Sequence, residues 1–407
     1  MHLLLIHQAF VTPNEPGGTR HFEFLRHMVK KGHQATVVTS NLSYLTGKSA
    51  GSSGRLFKEE NQEGIRIIRL YTIPTLHRSF VWRVVSFIGF MLLSTIAAFR
   101  VRKIDLVMGT SPPIFQAVSA LLASLRHRVP FLLEIRDLWP EFAIDMGVLK
   151  NRILILLSRW LEKDLYRFSD RLLVNSPAYR EYLLDYGVQP QKIFLIPNGV
   201  DTDLFNPSRD GENFRRKFQL DGKFVVTYSG ALGLANDIET LLKAAKYLND
   251  RNDIRFLLIG DGKERSHLEK TAREMSLKNV TFTGTRSKEE IPEILCASDA
   301  CLAILKNITM FKTTYPNKVF DYMAAGRPTI LAIDGVIRRV IEDSTGGIFV
   351  QPGDSKRLAE AVEYMADHRK EAESMGKSAR SYVSKNFNRH NHSADFLNLT
   401  VQLYEPF

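Results

Sequence analysis

A lysine and an aspartate stand three residues apart in the stretch YPNKVFDYMAAGRP of this 407-residue chain. Lys318 and Asp321 therefore share one face of the helix that the stretch predicts. The lysine could neutralise a phosphate group, and the aspartate could accept hydrogen bonds from ribose hydroxyls. Asn317, which precedes the lysine, is a third candidate for the same nucleotide. An ordinary ion pair on a helix surface is the alternative interpretation.

Glycines follow several predicted strands, at the points where each strand would lead into a helix. In YSGALGLAND and in GDG they would let backbone N–H groups approach a diphosphate. Tight turns without a ligand would use the same glycines, and the aspartate of GDG also suits a helix N-cap. The candidate ligand-binding residues in these loops are Gly17, Gly18, Gly230, Gly233, Asn236, Gly260, Asp261 and Gly262.

Four charged residues lie in the stretch EIRDLWPE, which begins within the apolar strand VPFLLEI. Burying so much charge at the end of a strand is costly unless the charges have a purpose. We therefore predict a catalytic role for Asp137, a contact between Arg136 and a substrate phosphate, and Glu141 as a third catalytic candidate. A loop of surface ion pairs is the alternative.

The alternation of apolar runs and helical stretches predicts an α/β chain with two doubly wound parallel sheets. The first sheet is predicted from LLLIHQAF, QATVVTS, IDLVMGTS, VPFLLEIRD and DRLLVNS. The second is predicted from GKFVVTYSG, IRFLLIGDG, NVTFTG, ACLAIL, RPTILAI and GGIFVQP. Turn-forming residues cluster in IPNGVDTDLFNP between the two series. We therefore predict domains at 1–195 and 196–384, with a helix at about 385–407 that packs back on the first domain.

The net charge of +11 is concentrated in the first half of the chain, where residues 1–195 hold 25 Lys and Arg against 15 Asp and Glu. In the same half, the run Val84 to Phe99 is largely apolar, and a bilayer span needs about 20 such residues. The run suits a buried helix of the first domain or a helix lying in the interface of an anionic membrane, and a true span is a third alternative. Its flanking cations are Arg78, Arg83, Arg100, Arg102 and Lys103.

Several common kinds of site are disfavoured by the sequence. Asp201 and Asp203 form a D-x-D pattern, but in the predicted interdomain segment, so we predict a linker turn and no metal site. A nicotinamide-binding G-x-G-x-x-G fingerprint is absent. Cys296 and Cys301 are too few for a disulfide framework, and the N-terminus does not resemble a signal peptide. A reduced, cytoplasmic compartment is therefore expected.

Together these motifs resemble the retaining glycosyltransferases of family four over essentially the whole chain. The resemblance rests on the order of the glycine pair after the first strand, PNGVDTDLF, the second glycine loop, GDG and PNKVFDYMAAGRP. ANDIETLL, EIRDLWPE and PNKVFDYMAAG are most similar to a branch with proposed N-acetylfucosamine transferases of O-antigen and capsule assembly. The resemblance implies the GT-B fold, in which two doubly wound, Rossmann-like domains face each other across a cleft.

The resemblance also implies an activity: transfer of a hexose or N-acetylhexosamine, with N-acetylfucosamine as one candidate, from a UDP-sugar with retention of configuration. No metal cofactor is expected. The second domain would bind the donor, and the first would bind a lipid-linked or polysaccharide acceptor at the anionic inner face of a membrane. A nucleotide-sugar epimerase of the same fold and a non-catalytic, basic, nucleic-acid-binding protein are the alternatives, and we expect no nucleic-acid partner.

The sequence departs from the family pattern where many members carry cations for the diphosphate. Ala231 and Asn236 stand where those members have an arginine and a lysine. The resemblance then implies that the diphosphate charge falls on Lys318, Arg286 and backbone amides.

The sequence also departs at positions that many members use in catalysis. Thr313 stands where they have the first of two glutamates, and Asp321 stands in place of the second. Arg136 takes the position of a histidine at a strand end of the first domain. No residue therefore stands out as a covalent nucleophile.

Overall fold

The computed structural model describes residues 1–15, 17–42, 56–74 and 80–404. The chain forms two compact units: unit 1 is Met1–Pro197 with His390–Phe407, and unit 2 is Asn198–Arg389. Two residues from the sequence patterns, Pro16 and the flanking cation Arg78, lie outside the described residues.

Unit 1 contains a sheet with the strand order β3-β4-β2-β1-β5-β6-β7-β8. Its strands are parallel except for β3, which pairs antiparallel with β4. The strand bounds are β1 His2–Ile6, β2 Gln34–Ser40, β3 Phe57–Gln62, β4 Ile65–Leu70, β5 Leu106–Ser111, β6 Phe131–Ile135, β7 Arg171–Val174 and β8 Ile193–Leu195. The helices between them are α1 Arg20–Lys30, α2 Phe80–Arg100, α3 Ile114–His127, α4 Glu141–Asp145, α5 Arg152–Phe168 and α6 Pro177–Asp185.

The five strands predicted for unit 1 are present, and their apolar runs have the cause expected for parallel strands. Leu3, Leu4, Leu5 and Ile6 of β1 are all fully buried, because helices cover both faces of the sheet. The sequence analysis missed β8 and the β3–β4 hairpin. In the hairpin, Glu63 and Gly64 both have positive φ, as a two-residue turn of this kind requires.

Helix α2 contains the predicted apolar run and has two different faces. Phe90, Ala97 and Ala98 are buried on one side, where Ser94 Oγ donates a hydrogen bond to Ser119 Oγ of α3 at 2.9 Å. Trp82–Arg100 is long and apolar enough to cross a membrane. Only 28% of that apolar window is buried inside the protein. The other face is a stripe of exposed large apolar side chains, which we call the α2 stripe: Trp82, Val85, Ile88, Leu92, Ile96 and Phe99.

Unit 2 contains a wholly parallel sheet with the strand order β11-β10-β9-β12-β13-β14. All six strands predicted from the restarted pattern are present. Their bounds are β9 Phe224–Ser229, β10 Ile254–Ile259, β11 Val280–Gly284, β12 Ala300–Ile304, β13 Thr329–Ala332 and β14 Gly347–Phe349. The remaining helices of the described chain are α7 Glu212–Lys217, α8 Ile238–Tyr247, α9 Arg265–Glu274, α10 Glu290–Cys296, α11 Asn317–Ala324, α12 Val336–Ser344, α13 Ser355–Asp367, α14 Arg369–Asn386 and α15 Arg389–Tyr404.

The last helix, α15, packs on unit 1 although the residues before it belong to unit 2. The rings of Phe396 and Phe24 of α1 stack with their centroids 4.6 Å apart, and Leu399 lies in the same core. The helix predicted at about 385–407 begins later than expected, because residues 385 and 386 still belong to α14.

Candidate functional site

Two glycine loops in unit 2 are locked against each other at the carboxyl ends of β9 and β10. Gly260 has a φ of +134°, and a Cβ added there would lie 1.9 Å from the carbonyl oxygen of Gly230. A Cβ on Gly262 would lie 2.2 Å from the carbonyl oxygen of Leu232. No larger side chain therefore fits at these two positions without moving backbone.

Lys318 of α11 reaches this pair of loops. Its Nζ donates to Tyr228 Oη at 3.0 Å and to Asn236 Oδ1 at 3.4 Å, and it lies 4.2 Å from the centroid of the Tyr228 ring. Burial lowers the pKa of Lys318 to about 7, because the ammonium is withdrawn from water. A Cβ on Gly230 would lie 2.6 Å from Nζ, so the glycine makes room for the cation. The structure thus brings together Lys318, Asn236 and the glycine loop, and their predicted contacts with a nucleotide stay predictions.

Tyr228 belongs to this site, although the sequence analysis did not single it out. Its hydroxyl donates to the carbonyl oxygen of Ala231 at 2.8 Å while accepting from Lys318, and burial raises the pKa of this phenol. The hydroxyl thereby joins β9, the loop after it and α11. The sequence carried one signal for Tyr228, which is its position in β9, because alternate residues of a strand face the same side of the sheet.

The other predicted residues of unit 2 lie around this centre in different ways. Asn317 is exposed at the first position of α11, and Asp321 lies one turn after Lys318 on the same helix. Gly233 precedes a 3₁₀ turn, and a Cβ there would have no atom nearer than Asn236 Nδ2 at 4.0 Å. The backbone at Gly233 is therefore open to a ligand.

Arg286 and Asp261 make local contacts instead of reaching Lys318. Arg286 donates to the carbonyl oxygen of Thr283 at 3.4 Å and pairs with Glu290 at 3.6 Å. Asp261 accepts from the Gly262 amide at 2.7 Å and pairs with Arg265 at 3.3 Å. Helix α9 begins at Arg265, so the alternative of Asp261 as its N-cap is wrong. Their predicted contacts with a nucleotide stay predictions.

In unit 1, a buried carboxylate holds together residues from three elements at the carboxyl edge of the sheet. Glu134 of β6 has no exposed surface, and it pairs with Arg20 Nε at 3.2 Å and with His21 Nε2 of the same helix, α1. Burial alone would raise the pKa of Glu134, but His21, Arg20 and Arg136 outweigh it and lower the pKa to about 2. The His7 ring, after β1, lies 4.4 Å from the His21 ring.

Arg136 and Asp137 follow directly after this cluster. Arg136 Nη1 lies 3.3 Å from His7 Nε2. The other ring nitrogen of His7, Nδ1, forms a hydrogen bond of 2.7 Å with Thr110 Oγ1. Asp137 Oδ1 accepts from Tyr179 Oη at 3.3 Å, and burial raises the pKa of the Asp137 carboxyl. The alternative of surface ion pairs is wrong for these two residues. The sequence analysis missed His7, because only the fold places β1 beside β5, with β6 as the next strand of the sheet.

Glu141, the third predicted catalytic residue, starts α4 and points to α5. Its two oxygens accept from Arg159 Nε at 2.7 Å and from Nη2 at 3.0 Å. This bidentate pair favours a positioning role.

Gly17 and Gly18 precede α1, where Gly17 has a φ of +138°, and their predicted contact with an oxyanion stays a prediction. Asp201 Oδ1 accepts from the amides of Asp203 and Leu204, as a turn in the linker would.

Solved structures of other proteins align with nearly the whole chain. Sucrose-phosphate synthase from Thermosynechococcus elongatus aligns with a TM-score of 0.79 at 19% identity, covering 99% of each chain. The Anabaena protein HepE, crystallised in complex with UDP, aligns with a TM-score of 0.74 at 18% identity over 99% of this chain and 100% of that one. At such identities the likeness shows the fold.

Two family models match the chain, one for each unit. The model described as Glycosyltransferase Family 4 matches residues 17–204, and the one described as Glycosyl transferases group 1 matches residues 210–382. This chain is a glycosyltransferase with the GT-B fold. Glycosyl transfer therefore replaces both alternatives from the sequence, the epimerase and the non-catalytic nucleic-acid-binding protein.

Curated relatives of this chain are also named as glycosyltransferases. The probable glycosyltransferase WbjE of Pseudomonas aeruginosa is 26% identical over 72% of this chain and 73% of its own length. An Escherichia coli α-1,3-galactosyltransferase, which uses UDP-Gal and α-D-GlcNAc-diphosphoundecaprenol, is 26% identical over 59% of this chain and 62% of its own length.

The packing of the two glycine loops predicts different effects of alanine at two positions of this glycosyltransferase. Gly262→Ala should destabilise unit 2 by about 1–3 kcal/mol, because the new Cβ would overlap the Leu232 carbonyl. Gly233→Ala is the matched control: its position is open, so its effect should stay within about 0.5 kcal/mol. Urea unfolding of both variants measures the difference. Equal stability of the two would contradict the close packing of the loops.

Proposed function

We propose that this glycosyltransferase moves a hexose or N-acetylhexosamine from a UDP-sugar to a lipid-linked or polysaccharide acceptor, with retention of anomeric configuration. The observation that carries the donor assignment is the Lys318 ammonium, held beside Gly230 and the open backbone of Gly233. A cation and free N–H groups at a strand end are what a diphosphate needs. UDP in the HepE complex, and the UDP-sugar and diphospho-lipid in the name of the E. coli relative, support the same choice.

The proposed role of unit 2 in catalysis is electrostatic. As the bond to the sugar breaks, negative charge develops on the departing UDP, and Lys318 with the loop amides would stabilise that charge. No step of this proposal requires a metal ion. Asn317 and Asp321, on either side of Lys318 along α11, are proposed to contact the nucleoside.

The donor sugar is proposed to be a hexose or an N-acetylhexosamine, with N-acetylfucosamine as the first to test. Saturation-transfer NMR with a panel of UDP-sugars identifies which one binds. Incubation of that donor with and without a lipid-linked acceptor, followed by analysis of the anomeric configuration of the product, tests transfer and retention together. Inversion in the product would reject retention and leave glycosyl transfer intact.

Binding of UDP should be coupled to proton uptake by Lys318. In the free protein its pKa of about 7 leaves the amine mostly neutral at pH 8, and a bound diphosphate would raise that pKa. UDP binding at pH 8 should therefore take up close to one proton, and affinity should fall as the pH rises above about 7. Calorimetric titrations in buffers of different ionisation enthalpy measure the uptake.

Two lysine variants make the proton-uptake test specific. Lys318→Met should abolish the uptake and weaken UDP binding by about 10- to 100-fold, the loss of one charged hydrogen bond. Lys356→Met, at an exposed position of α13, should change neither quantity. Unchanged UDP affinity in the Lys318 variant would reject the proposed site.

Unit 1 is proposed to contribute the group that acts on the acceptor, with Asp137 as the catalytic residue and Arg136 as a phosphate contact. Asp137→Asn should lower turnover by about 100-fold or more while UDP affinity stays within about threefold. Glu141→Gln should lower turnover much less, because the Glu141 carboxylate pairs with Arg159. Steady-state assays of UDP release measure both. A loss of turnover below about threefold for Asp137→Asn would contradict its role.

We also propose that the enzyme is cytoplasmic and peripheral, at the anionic inner face of a membrane. The α2 stripe exposes large apolar side chains, and the cations of residues 1–195 would meet lipid headgroups. Each cation near an anionic surface contributes about 1 kcal/mol, which salt weakens.

The protein should accordingly sediment with anionic liposomes, less with neutral ones and less again at high salt. Replacing the five cations that flank the run by Gln should release most of the protein while leaving UDP binding intact. The five are Arg78, Arg83, Arg100, Arg102 and Lys103. Equal, negligible sedimentation with both kinds of liposome would reject the proposed location.

A further inference from the structure

The first half of α5 is an apolar surface that the sequence analysis did not single out. Ile153 and Leu156 are each 69% exposed, and Trp160 is 62% exposed. Contiguous apolar surface of this kind on a protein marks an interaction site. We call Ile153–Trp160 the exposed half of α5, and its large exposed side chains are Ile153, Leu154, Leu156, Leu157 and Trp160.

The exposed half of α5 is presented by a firmly anchored helix. Asn151 Oδ1 accepts from the amides of Ile153 and Leu154, which caps the first turn. Further along, Glu162 and Tyr166 are buried and joined by a hydrogen bond of 2.6 Å. The apolar side chains are therefore displayed on a formed helix.

Basic side chains surround this apolar segment. The cations at its two ends are exposed, while Glu162 of the same helix is buried against Tyr166. Glu141 of α4 pairs with one of these cations, Arg159. Among residues 150–168 the cations outnumber the anions, so the rim of the surface is positive. The exposed cations are Lys150, Arg152, Arg159, Lys163 and Arg167.

The position of α5 in the fold connects this surface to the proposed acceptor site. In a β–α–β crossover the helix begins at the carboxyl end of the preceding strand, here β6, where Arg136 and Asp137 lie. The bidentate contact between Arg159 and Glu141 joins α5 to α4, which follows that loop directly. On its other side α5 packs against α3, which also packs against α2. Leu122 and Leu125 of α3 are also exposed.

We propose that the exposed half of α5 enters the interface of an anionic bilayer, as a second attachment helix beside α2 and next to the acceptor-binding edge of unit 1. The apolar segment would meet the acyl boundary, and its basic rim would meet headgroups. This inference rests on the proposed lipid-linked acceptor, whose reactive head would emerge from the membrane close to Asp137. The positive rim favours a lipid surface over a second copy of the chain, whose rim would be equally positive.

Two single-tryptophan proteins can report on the two helices separately. The chain has three tryptophans, Trp82 in α2, Trp139 after β6 and Trp160 in α5. One protein carries Trp139→Phe and Trp82→Phe, and the other carries Trp139→Phe and Trp160→Phe. Each is mixed with phosphatidylglycerol–phosphatidylcholine vesicles containing brominated acyl chains. We expect a blue shift and bromine quenching of Trp160, and the same for Trp82.

Substitutions in the exposed half of α5 measure its share of binding. Leu156→Gln combined with Leu157→Gln should lower partitioning into the same vesicles by about 100-fold, because burial of each leucine contributes about a factor of ten. Tyr247→Gln is the matched control, since Tyr247 is 64% exposed but lies on α8 of unit 2. UDP affinity should be unchanged in both variants, which shows that they fold.

The outcomes separate this inference from the proposed membrane location. Quenching of Trp82 without quenching of Trp160 would overturn the role of α5 and leave α2 as the attachment helix. No quenching of either would reject both. A second copy of the chain could instead cover α5, and sedimentation velocity without lipid tests for it. A dimer that dissociates when Leu156→Gln and Leu157→Gln are introduced would overturn the inference.

Discussion

The ammonium of Lys318 lies between a phenol and an amide, and much of the site in unit 2 follows from keeping it there. Removing a cation from water costs free energy, which is why its pKa falls to about 7. Glycine at residue 230, where φ is +154°, leaves the cation in place, because a Cβ there would lie 2.6 Å from Nζ and displace it. The carbonyl of Gly230 in turn excludes a side chain at residue 260. One lysine and the glycines of two loops therefore form a single steric and electrostatic unit, and an anion at this point would recover the cost of desolvation.

The buried charge of unit 1 is handled differently. Glu134 has its countercharges within the fold, so it is ionised without a ligand. Arg20 also donates to the carbonyl oxygens of Ile196 and Pro197. These bonds join α1 to the end of the segment Met1–Pro197 of unit 1. Removing one partner of such a buried pair commonly costs about 3–5 kcal/mol, a large part of the roughly 5–15 kcal/mol by which a domain is stable. This cluster is a rigid base for Arg136 and Asp137, whereas Lys318 is poised for a ligand.

The sequence predicted the strands and helices whose apolar residues recur with a simple period. It also predicted pairs of residues that lie close together along the chain. The six strands of unit 2 and the placement of Lys318 and Asp321 on one helix were accessible because each is encoded within a short stretch. The contact of Lys318 with Tyr228 joins residues 90 positions apart, and no short stretch encodes it. The β3–β4 hairpin was missed because β3 is rich in charged residues, which pair across the hairpin, as Arg66 does with Glu59. His7, His21 and Glu134 meet only through the strand order, and the ion pair of Glu141 depends on where α5 passes. No local pattern carries such information.

The two surface helices of unit 1 show a further limit of pattern analysis. Periodicity indicates which residues share a face of a helix, but it does not say which face the fold will bury. In α2 the inward face is made largely of small residues such as Ser94 and Ala97, while the larger Leu92 is 57% exposed. In α5 the buried positions include Glu162 beside Leu165, while Leu156 and Leu157 are exposed. Water would favour the reverse arrangement, since large apolar groups gain most from burial. The observed arrangement is the one that an apolar medium outside the protein would favour, and the same preference acts on two helices separated by α3.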